Sequence, residues 1–288
     1  MTIPRPRSVW VGHASNAGHV FLSALVAGVV LRLRWRLRGG VHRIDYLIAL
    51  TVVALLGVGL EVAQIVGPGS PSAKDVGLDL MGGVAALLIA AGTRSQAGWR
   101  WGLGAAGAAL MMLALSTQLR VVRDAARLWS CWPILADFEL IRGSSFLGID
   151  DGARVTLVDA PDGFSKSNGR VAMVTFASGR YPALLVRPLR GDWSKYEMLV
   201  FDVYSANESP KALHLRVHDR SHNQRYEDRF NTQLNILPGE QTVRLALREV
   251  ARGPRGRELD LRSVAALILF MDAPERPVSL YFSNLRLE

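Results

Sequence analysis

Four polar side chains lie close together within an otherwise apolar part of the sequence. Glu61 and Gln64 are three positions apart and Asp75 and Asp79 are four apart, so each pair shares one face of a predicted helix. The intervening residues 67–72 (GPGSPS) predict a sharp turn, which would bring the two pairs together. Carboxylates grouped in this way can hold a cation, bind a ligand amine or perform acid/base chemistry on a lipid-linked substrate.

A purely structural role for these residues stays open. Asp75 would favour the N-terminus of its helix, and Glu61 could pair with Lys74. The sequence offers neither a nucleophile with a paired base nor a complete set of metal ligands beside the carboxylates. Whether the protein is an enzyme is therefore uncertain, and the pattern favours a non-catalytic role.

A second group of polar residues alternates with apolar ones near the end of the chain. In residues 212–219 (ALHLRVHD), leucines and a valine alternate with two histidines and an arginine, and residues 199–204 and 242–247 alternate similarly. Strands of this kind in one sheet would present planar hydrogen-bonding groups beside an aromatic ring, which suits a sugar. An ordinary solvated sheet face is the alternative. The carbohydrate-binding candidates are Asp202, Tyr204, His214, Arg216, His218 and Arg244, together with Tyr226, Arg229 and Asn231 on a polar loop.

Membrane helices must position the first group. A helix needs roughly 20 apolar residues to cross a bilayer. Four windows approach this length, and they predict a four-helix transmembrane bundle: residues 9–33, 46–66, 76–92 and 101–119.

The charge distribution supports this interpretation. Residues 1–133 contain 13 Lys/Arg and 5 Asp/Glu, whereas residues 134–288 contain 21 and 20. Five arginines within residues 32–43 follow the first window, so the positive-inside rule predicts that this loop is cytoplasmic and that the C-terminal part is extracytoplasmic. A nucleic-acid-binding arm is the less favoured alternative. A fully soluble cytosolic enzyme is excluded.

The pattern changes after the fourth window. Residues 120–133 indicate an amphipathic connector with two tryptophans. Residues 134–288 contain short segments rich in β-branched and aromatic residues, separated by Gly, Pro, Asn and Asp, which predicts a β-sandwich of the jelly-roll type. The fold class is thus α + β multidomain: a transmembrane bundle over residues 1–119, the connector and the β-sandwich.

The helical part resembles the VanZ-like membrane domain over about residues 13–92. Its usual arginine after the turn is absent, and its usual asparagine is replaced by Asp79. The likeness adds His19 to the first group, and we call His19, Glu61, Gln64, Asp75 and Asp79 the membrane polar cluster. It implies a small bacterial inner-membrane protein of the cell envelope, in a family without an established reaction. The residues that carry it are Gly18, His19, Glu61, Gln64, Pro71, Ser72, Asp75, Val76, Asp79, Gly82 and Gly83.

The β-rich part resembles the galactose-binding-like jelly-roll carbohydrate-binding modules. The likeness rests on residues 137–139 (DFE), 193–202 (WSKYEMLVFD), 259–261 (LDL) and 281–287 (YFSNLRL). In such modules the first and last strands often share a structural calcium ion. The resemblance implies Glu139 and Asn284 as its ligands, with Ser283 where an aspartate is usual.

Together these patterns predict a multi-pass protein of the inner (plasma) membrane with an extracytoplasmic carbohydrate-binding domain. It would bind an envelope or exported polysaccharide, or a lipid-linked saccharide, without catalysis and with no cofactor beyond the possible calcium. Membrane lipid and glycan are the expected partners, and nucleic acid is not. The alternative is a docking subunit of an envelope assembly or export complex, and an enzyme acting on lipid-linked substrates is less favoured.

Overall fold

The computed structural model describes the chain in two compact units, divided between Val121 and Val122. We call them the helical unit and the sandwich unit. The described residues are 9–66, 71–95, 98–136, 138, 146–166, 169–177, 179–188 and 190–288.

The helical unit contains three helices that are long and apolar enough to cross a membrane, over His13–Arg38, Arg43–Ile65 and Ala73–Arg94. The next two helices pass the same test only as one span bent by 57°. By length and composition, the described helices therefore provide three candidate membrane spans, or four if the bent pair is one, and the four-helix bundle stays a prediction. The helices are α1 (Val9–Arg38), α2 (Arg43–Val66), α3 (Ala73–Arg94), α4 (Arg100–Ala114) and α5 (Ser116–Ser130), and the division between the units falls within α5.

Large apolar side chains on the outside of α1 and α2 favour contact with lipid. Leu25, Leu37 and Leu55 each expose more than 60% of their surface. In water such a surface would be unfavourable, whereas hydrocarbon accepts it.

Glycines allow α3 to approach its neighbours closely. A Cβ at Gly82 would clash with the carbonyl oxygen of Val20 in α1, and a Cβ at Gly107 in α4 would lie 2.7 Å from that of Ala85 in α3. Small residues at helix contacts are typical of packing in membranes. This packing places α1 directly beside α3, where two parts of the membrane polar cluster are located.

The sandwich unit consists of two antiparallel sheets. The back sheet has the order β3-β4-β11-β6-β9 with β1 paired to β11, and the front sheet has the order β2-β5-β10-β7-β8. A short helix, α6 (Leu247–Ala251), follows β9. The strands are β1 (Ile134–Ala136), β2 (Leu147–Asp150), β3 (Arg154–Asp159), β4 (Arg170–Phe176), β5 (Ala183–Val186), β6 (Met198–Ser205), β7 (Lys211–Asp219), β8 (Phe230–Ile236), β9 (Gly239–Ala246), β10 (Val264–Phe270) and β11 (Val278–Leu287).

The core lies between the two sheets and follows the alternation of the strands. Leu213 and Leu215 of β7 are fully buried and belong to the same core as Phe201 of β6 and Phe282 of β11. The predicted β-sandwich is therefore present, and each sheet turns its other face outward.

The expectation that three polar strands share one sheet is wrong. The strands β6 and β9 belong to the back sheet, whereas β7 belongs to the front sheet. An alternating pattern states which side chains face outward but not which sheet a strand joins, since both sheets of a sandwich alternate alike. Asp202, Tyr204 and Arg244 therefore face away from the polar residues of β7.

Candidate functional site

A groove of about 870 Å³ lies on the outward face of the front sheet. Its floor consists of rows of side chains that run across the strands, because antiparallel pairing aligns every second residue on one face. Each of the five strands contributes one residue to the first row. From β8 to β2 these residues are Gln233, His214, Phe270, Ala183 and Asp150.

A second row lies two residues further along the strands. Asn231 of β8 is paired with Arg216 of β7, which is paired with Ile268 of β10. All three line the groove. The groove floor therefore combines amide, imidazole and guanidinium groups with apolar surface.

Aromatic rings lie side by side in the first row and next to it. His214 stacks on Phe270 with ring centroids 5.0 Å apart, and Tyr181 meets Phe270 edge-on at 6.0 Å. At the rim, Tyr226 is 65% exposed and its ring lies 5.1 Å from the guanidinium of Arg229. A ligand with an apolar face and a polar edge can stack on this aromatic surface and hydrogen-bond to the planar donors and acceptors beside it.

Arg216 is buried at the bottom of the groove with only 4% of its surface exposed. Its Nη2 lies 3.1 Å from Nε2 of His222, and its Nε has no hydrogen-bond partner. The Nδ1 of His222 lies 2.8 Å from the carbonyl oxygen of Asp228. A carbonyl only accepts, so Nδ1 carries the proton and Nε2 accepts from Arg216. Arg216 therefore donates this hydrogen bond to a neutral histidine.

Burial sets the protonation of this part of the site. It lowers the pKa of Arg216 to about 10, helped by the nearby charge of Arg229. It also lowers the pKa of His218 to about 3, helped by the charge of Arg216, and lowers the pKa of His222. At neutral pH the two histidines are therefore uncharged while the guanidinium stays positive.

An ion-pair network fixes the loop of residues 220–229, which carries Tyr226 and Arg229. Arg257 Nη1 donates to Asp219 Oδ2 at 2.5 Å, and its Nε donates to Asp228. Burial alone would raise the pKa of Asp219, but its hydrogen bonds from Arg257 and the Asp260 N–H lower it. The Arg257 hydrogen bond also lowers the pKa of Asp228. The loop is therefore held in place without a ligand.

This network is not visible in the sequence pattern. Arg257 is 38 residues from Asp219, and no local pattern connects the two. The one available signal was Asp219 itself, an acidic residue at the end of a strand that is otherwise buried.

His218 faces outward as the strand period requires, yet it does not line the groove. It is only 5% exposed, and its ring lies 4.9 Å from the ring of His222 in the overlying loop. The prediction that His218 contacts a ligand is therefore wrong, because the loop covers this side chain.

The three back-sheet candidates already have partners within the protein. Tyr204 stacks on Phe164 at 5.7 Å, and Asp202 accepts a hydrogen bond from Thr242 Oγ1 at 2.6 Å. Arg244 pairs with Glu288. These side chains stabilise the back sheet and do not join the residues of the groove.

The predicted calcium ligands are only partly within the described residues. Glu139 lies outside them. The side-chain amide of Asn284 donates to the Lys166 carbonyl and to Asp202, both at 3.2 Å. These contacts turn its amide nitrogen toward the neighbouring oxygens, and the calcium site stays a prediction.

The structure brings the five residues of the membrane polar cluster together. His19 Nδ1 lies 3.2 Å from Asp79 Oδ2, and His19 Nε2 lies 4.0 Å from Asp75 Oδ2. Glu61 accepts a hydrogen bond from the Ser72 N–H at 2.5 Å and lies 3.4 Å from the amide of Gln64. The turn between α2 and α3 is thus tied to the cluster through Glu61.

Three side chains of this cluster have the spacing of metal ligands. One donor atom each from His19, Glu61 and Asp75 lies within 4.8 Å of the others. Asp79 holds the opposite nitrogen of the same imidazole, an arrangement that orients histidine ligands in metal sites. The three donors come from α1, α2 and α3.

No protein-family model matches the chain, and no curated protein matches it. The VanZ-like resemblance therefore stays a prediction.

Several solved structures are similar in fold to about half of the chain. An exo-beta-agarase has 17% identity and a TM-score of 0.43, over 54% of this chain and 25% of that one. A family 11 carbohydrate-binding module from Clostridium thermocellum, in complex with a beta-1,3-1,4-mixed-linked tetrasaccharide, has 19% identity and a TM-score of 0.41. It matches over 54% of this chain and 93% of its own.

A family 30 carbohydrate-binding module of a cellulosomal cellulase from Clostridium thermocellum is also similar. It has 17% identity and a TM-score of 0.37, over 50% of this chain and 91% of its own. With every TM-score below 0.5, any functional assignment depends on the side chains of the groove and of the membrane polar cluster.

Proposed function

We propose that this protein is anchored in a membrane and binds a carbohydrate chain in the front-sheet groove without catalysing a reaction on it. The observation that carries the proposal is the first row of the groove floor. It places the stacked His214 and Phe270 rings between the amide of Gln233 and the carboxylate of Asp150. A sugar ring presents an apolar C–H face and a rim of hydroxyls, which match these two kinds of surface.

The dimensions of the groove favour a chain over a single sugar. Its first row crosses five strands, and strands spaced by about 4.8 Å give it a length of roughly 19 Å. Tyr226 at one end and Tyr181 near the other supply separate stacking surfaces.

A non-catalytic role agrees with the state of the carboxylates at the β2 edge. Asp150 accepts a hydrogen bond from the Asp151 N–H, and Asp151 accepts one from the Tyr181 N–H. Both carboxylates thus support the local backbone, whereas a glycosidase needs two carboxyl groups placed on either side of a scissile bond.

The apolar helices would anchor the binding domain at a membrane. In the proposal they have VanZ-like character, they lie in the inner membrane, and the sandwich unit is extracytoplasmic. Confinement at the membrane raises the effective concentration of the domain near an envelope polysaccharide or a lipid-linked glycan, so that weak binding suffices.

Affinity electrophoresis of the full-length protein in detergent tests this proposal, with neutral, uronate-containing and sulfated polysaccharides in separate gels. We expect at least one polysaccharide to retard the protein, and Tyr226→Ala to reduce the retardation. Tyr204→Ala, which removes the same ring from the back sheet, is the matched control and should behave like the wild type. Absence of retardation in every gel, or an equal loss in both variants, would contradict the proposal.

We further propose a second function, the binding of a divalent cation by the membrane polar cluster. Glu61 and Asp79 are buried, with 6% and 5% of their surface exposed. Among the residues that the structure describes, the carboxylates of the cluster form no ion pair with a lysine or arginine. Burying carboxylates next to one histidine is costly unless a cation compensates them, and the donor spacing suits one.

Metal analysis of the full-length protein, purified in detergent and incubated with Zn²⁺ or Mn²⁺, tests this second function. We expect close to one bound ion per chain, and its loss in His19→Gln and Asp75→Asn. His42→Gln, which changes an exposed histidine of the same unit, serves as the control. If His19→Gln binds as much metal as the wild type, the cluster is not a cation site.

A further inference from the structure

We infer that the saccharide bound in the groove is negatively charged and that its anionic group contacts Arg216 and Arg229. This inference rests on the proposed carbohydrate-binding function and names the class of glycan. It follows from the charges that the groove leaves uncompensated.

Arg216 is the first of these charges. It is almost completely buried, its Nε has no partner, and its Nη2 donates to an uncharged histidine. Within the described part of the chain, no carboxylate oxygen lies within 4.0 Å of it. A buried guanidinium without an anion is costly, and Arg216 lines the groove, where a ligand can supply that anion.

Arg229 supplies the second charge at the same end of the groove. It is partly buried, its Nε donates to Asn231 Oδ1 at 2.9 Å, and its guanidinium lies over the Tyr226 ring. The structure shows no described carboxylate within ion-pair distance of it either. Besides burial, the charge of Arg229 contributes to the lowered pKa of Arg216, as expected for two guanidiniums close together. An anion between them would relieve this repulsion.

The carboxylates that line the groove are too distant to neutralise the pair. Asp150 lies on β2, three strands away from Arg216 on β7, which is about 14 Å. Asp272 follows the end of β10, four residues beyond Ile268, and forms no ion pair within 4.0 Å with either arginine. The separation of Asp150 exceeds the Debye length of about 8 Å at physiological ionic strength.

The acidic residues next to Arg229 in the chain do not neutralise it either. Asp228 is held by Arg257. Burial lowers the pKa of Arg229 and Glu227 raises it, but Glu227 is exposed to solvent and forms no ion pair within 4.0 Å with a described residue, so salt screens its charge. The groove is therefore cationic at its β7–β8 end, whereas its lining carboxylates, Asp150, Asp151 and Asp272, are accompanied by Arg180.

A guanidinium binds carboxylate and sulfate oxygens through paired N–H donors. A neutral glycan would leave the buried guanidinium of Arg216 without an acceptor of opposite charge. The groove thus favours a uronic acid or a sulfated sugar, whose ring rests on the aromatic surface while its anionic group reaches the arginines.

The test compares charged and uncharged forms of the same oligosaccharide. Full-length protein in detergent is titrated with hexasaccharides of galacturonate and of alginate, with their methyl esters, and with a sulfated carrageenan oligosaccharide. We expect at least one acidic oligosaccharide to bind tenfold more tightly than its uncharged form or its neutral counterpart. The preference should shrink in about 0.5 M salt, because the charges are then screened.

Two variants and one control locate the effect. Arg216→Gln and Arg229→Gln should each remove most of the preference for the acidic form. Arg244→Gln removes an arginine from the back sheet and should leave the preference intact. If Arg216→Gln does not fold, Arg229→Gln and the ester comparison still decide the question.

Each outcome has a definite meaning. A preference for a uronate or for the sulfated oligosaccharide that depends on Arg229 supports the inference, and the winning probe identifies the source of the anion. Equal binding of acid and ester, or retention by neutral polysaccharides alone, overturns the inference while the proposed function survives. If no saccharide binds in either experiment, the proposed function itself is wrong.

Discussion

The two outward faces of the sandwich arise from the same alternating pattern, yet their polar groups differ in whether they have partners. On the back sheet, Asp202 accepts hydrogen bonds from Thr242 and Asn284, and Tyr204 is covered by Phe164. On the front sheet, Arg216 keeps an unpaired Nε under an open groove. Polar residues that satisfy each other stabilise a sheet, whereas a buried group without a partner needs an explanation, which the proposed ligand would supply for Arg216.

The largest effect is expected from the network that holds the groove loop. Arg257→Gln leaves the fully buried carboxylate of Asp219 without its guanidinium partner. Removing one partner of a buried pair should cost about 3 kcal/mol and lower the Tm of the sandwich unit by roughly 6 to 12 °C. Thermal unfolding followed by tryptophan fluorescence measures this, because Trp193 is buried in the core.

The matched control for Arg257 is on the back sheet. Arg244→Gln breaks an exposed pair with Glu288, and exposed pairs contribute little. Its Tm should equal that of the wild type within error. A similar Tm in both variants would show that the two faces do not differ in how they depend on their arginines.

The second effect concerns binding. The double variant His214→Ala, Tyr226→Ala removes a stacked ring from the floor and an exposed ring from the rim. We expect the affinity for the retained polysaccharide to fall at least tenfold, which is about 1.4 kcal/mol. Tyr204→Ala should change it less than twofold, and a larger loss there would move the site to the back sheet.

The third effect is a dependence of stability on pH. Folding lowers the pKa of His218 from 6.5 to about 3. Between these values, the unfolded chain therefore binds a proton that the native state does not bind. Stability therefore falls as pH decreases from 6.5 toward 3. Between pH 7 and 5.5 the loss should be about 1 kcal/mol for this histidine.

His218→Phe tests this assignment. The variant should lose less stability between pH 7 and 5.5 than the wild type does, because one buried imidazole no longer titrates. Asp219 and Asp228 have lowered pKa values and contribute only at more acidic pH. An identical pH dependence in variant and wild type would show that His218 is not the titrating group.

The smallest effect is expected on the back sheet. Asp202→Asn keeps an acceptor for Thr242 and weakens the contacts with Asn284 and with Arg286, whose Nη1 lies 3.6 Å from Asp202 Oδ2. We expect a change of about 1 kcal/mol or less in the free energy of unfolding, and unchanged glycan binding. A variant that still folds but no longer binds glycan would contradict the structural role of Asp202.

The sequence predicted which side chains of β7 face outward, but not which residues of other elements surround them. The period of two correctly separated Leu213 and Leu215 in the core from His214 and Arg216 on the outer surface. It could not assign strands to sheets, because the sheet order depends on pairings between residues far apart, such as Phe270 with His214. For the same reason it did not reveal the loop that covers His218.

The helical unit was more predictable. Apolar length alone indicated the three long spans, and the spacing of Glu61, Asp75 and Asp79 placed them near one another. Only the motif resemblance grouped His19 with these residues. His19 and Asp79 are 60 residues apart in the chain, so no local spacing connects them.

The most direct test of the central claim is oxidative footprinting of the full-length protein with and without an oligosaccharide of the retained polysaccharide. Our account predicts protection of Tyr226 and Phe270 in the groove, with unchanged oxidation of Tyr204 and Tyr281 on the back sheet. Protection of the back-sheet tyrosines, with Tyr226 still fully oxidised, would contradict it.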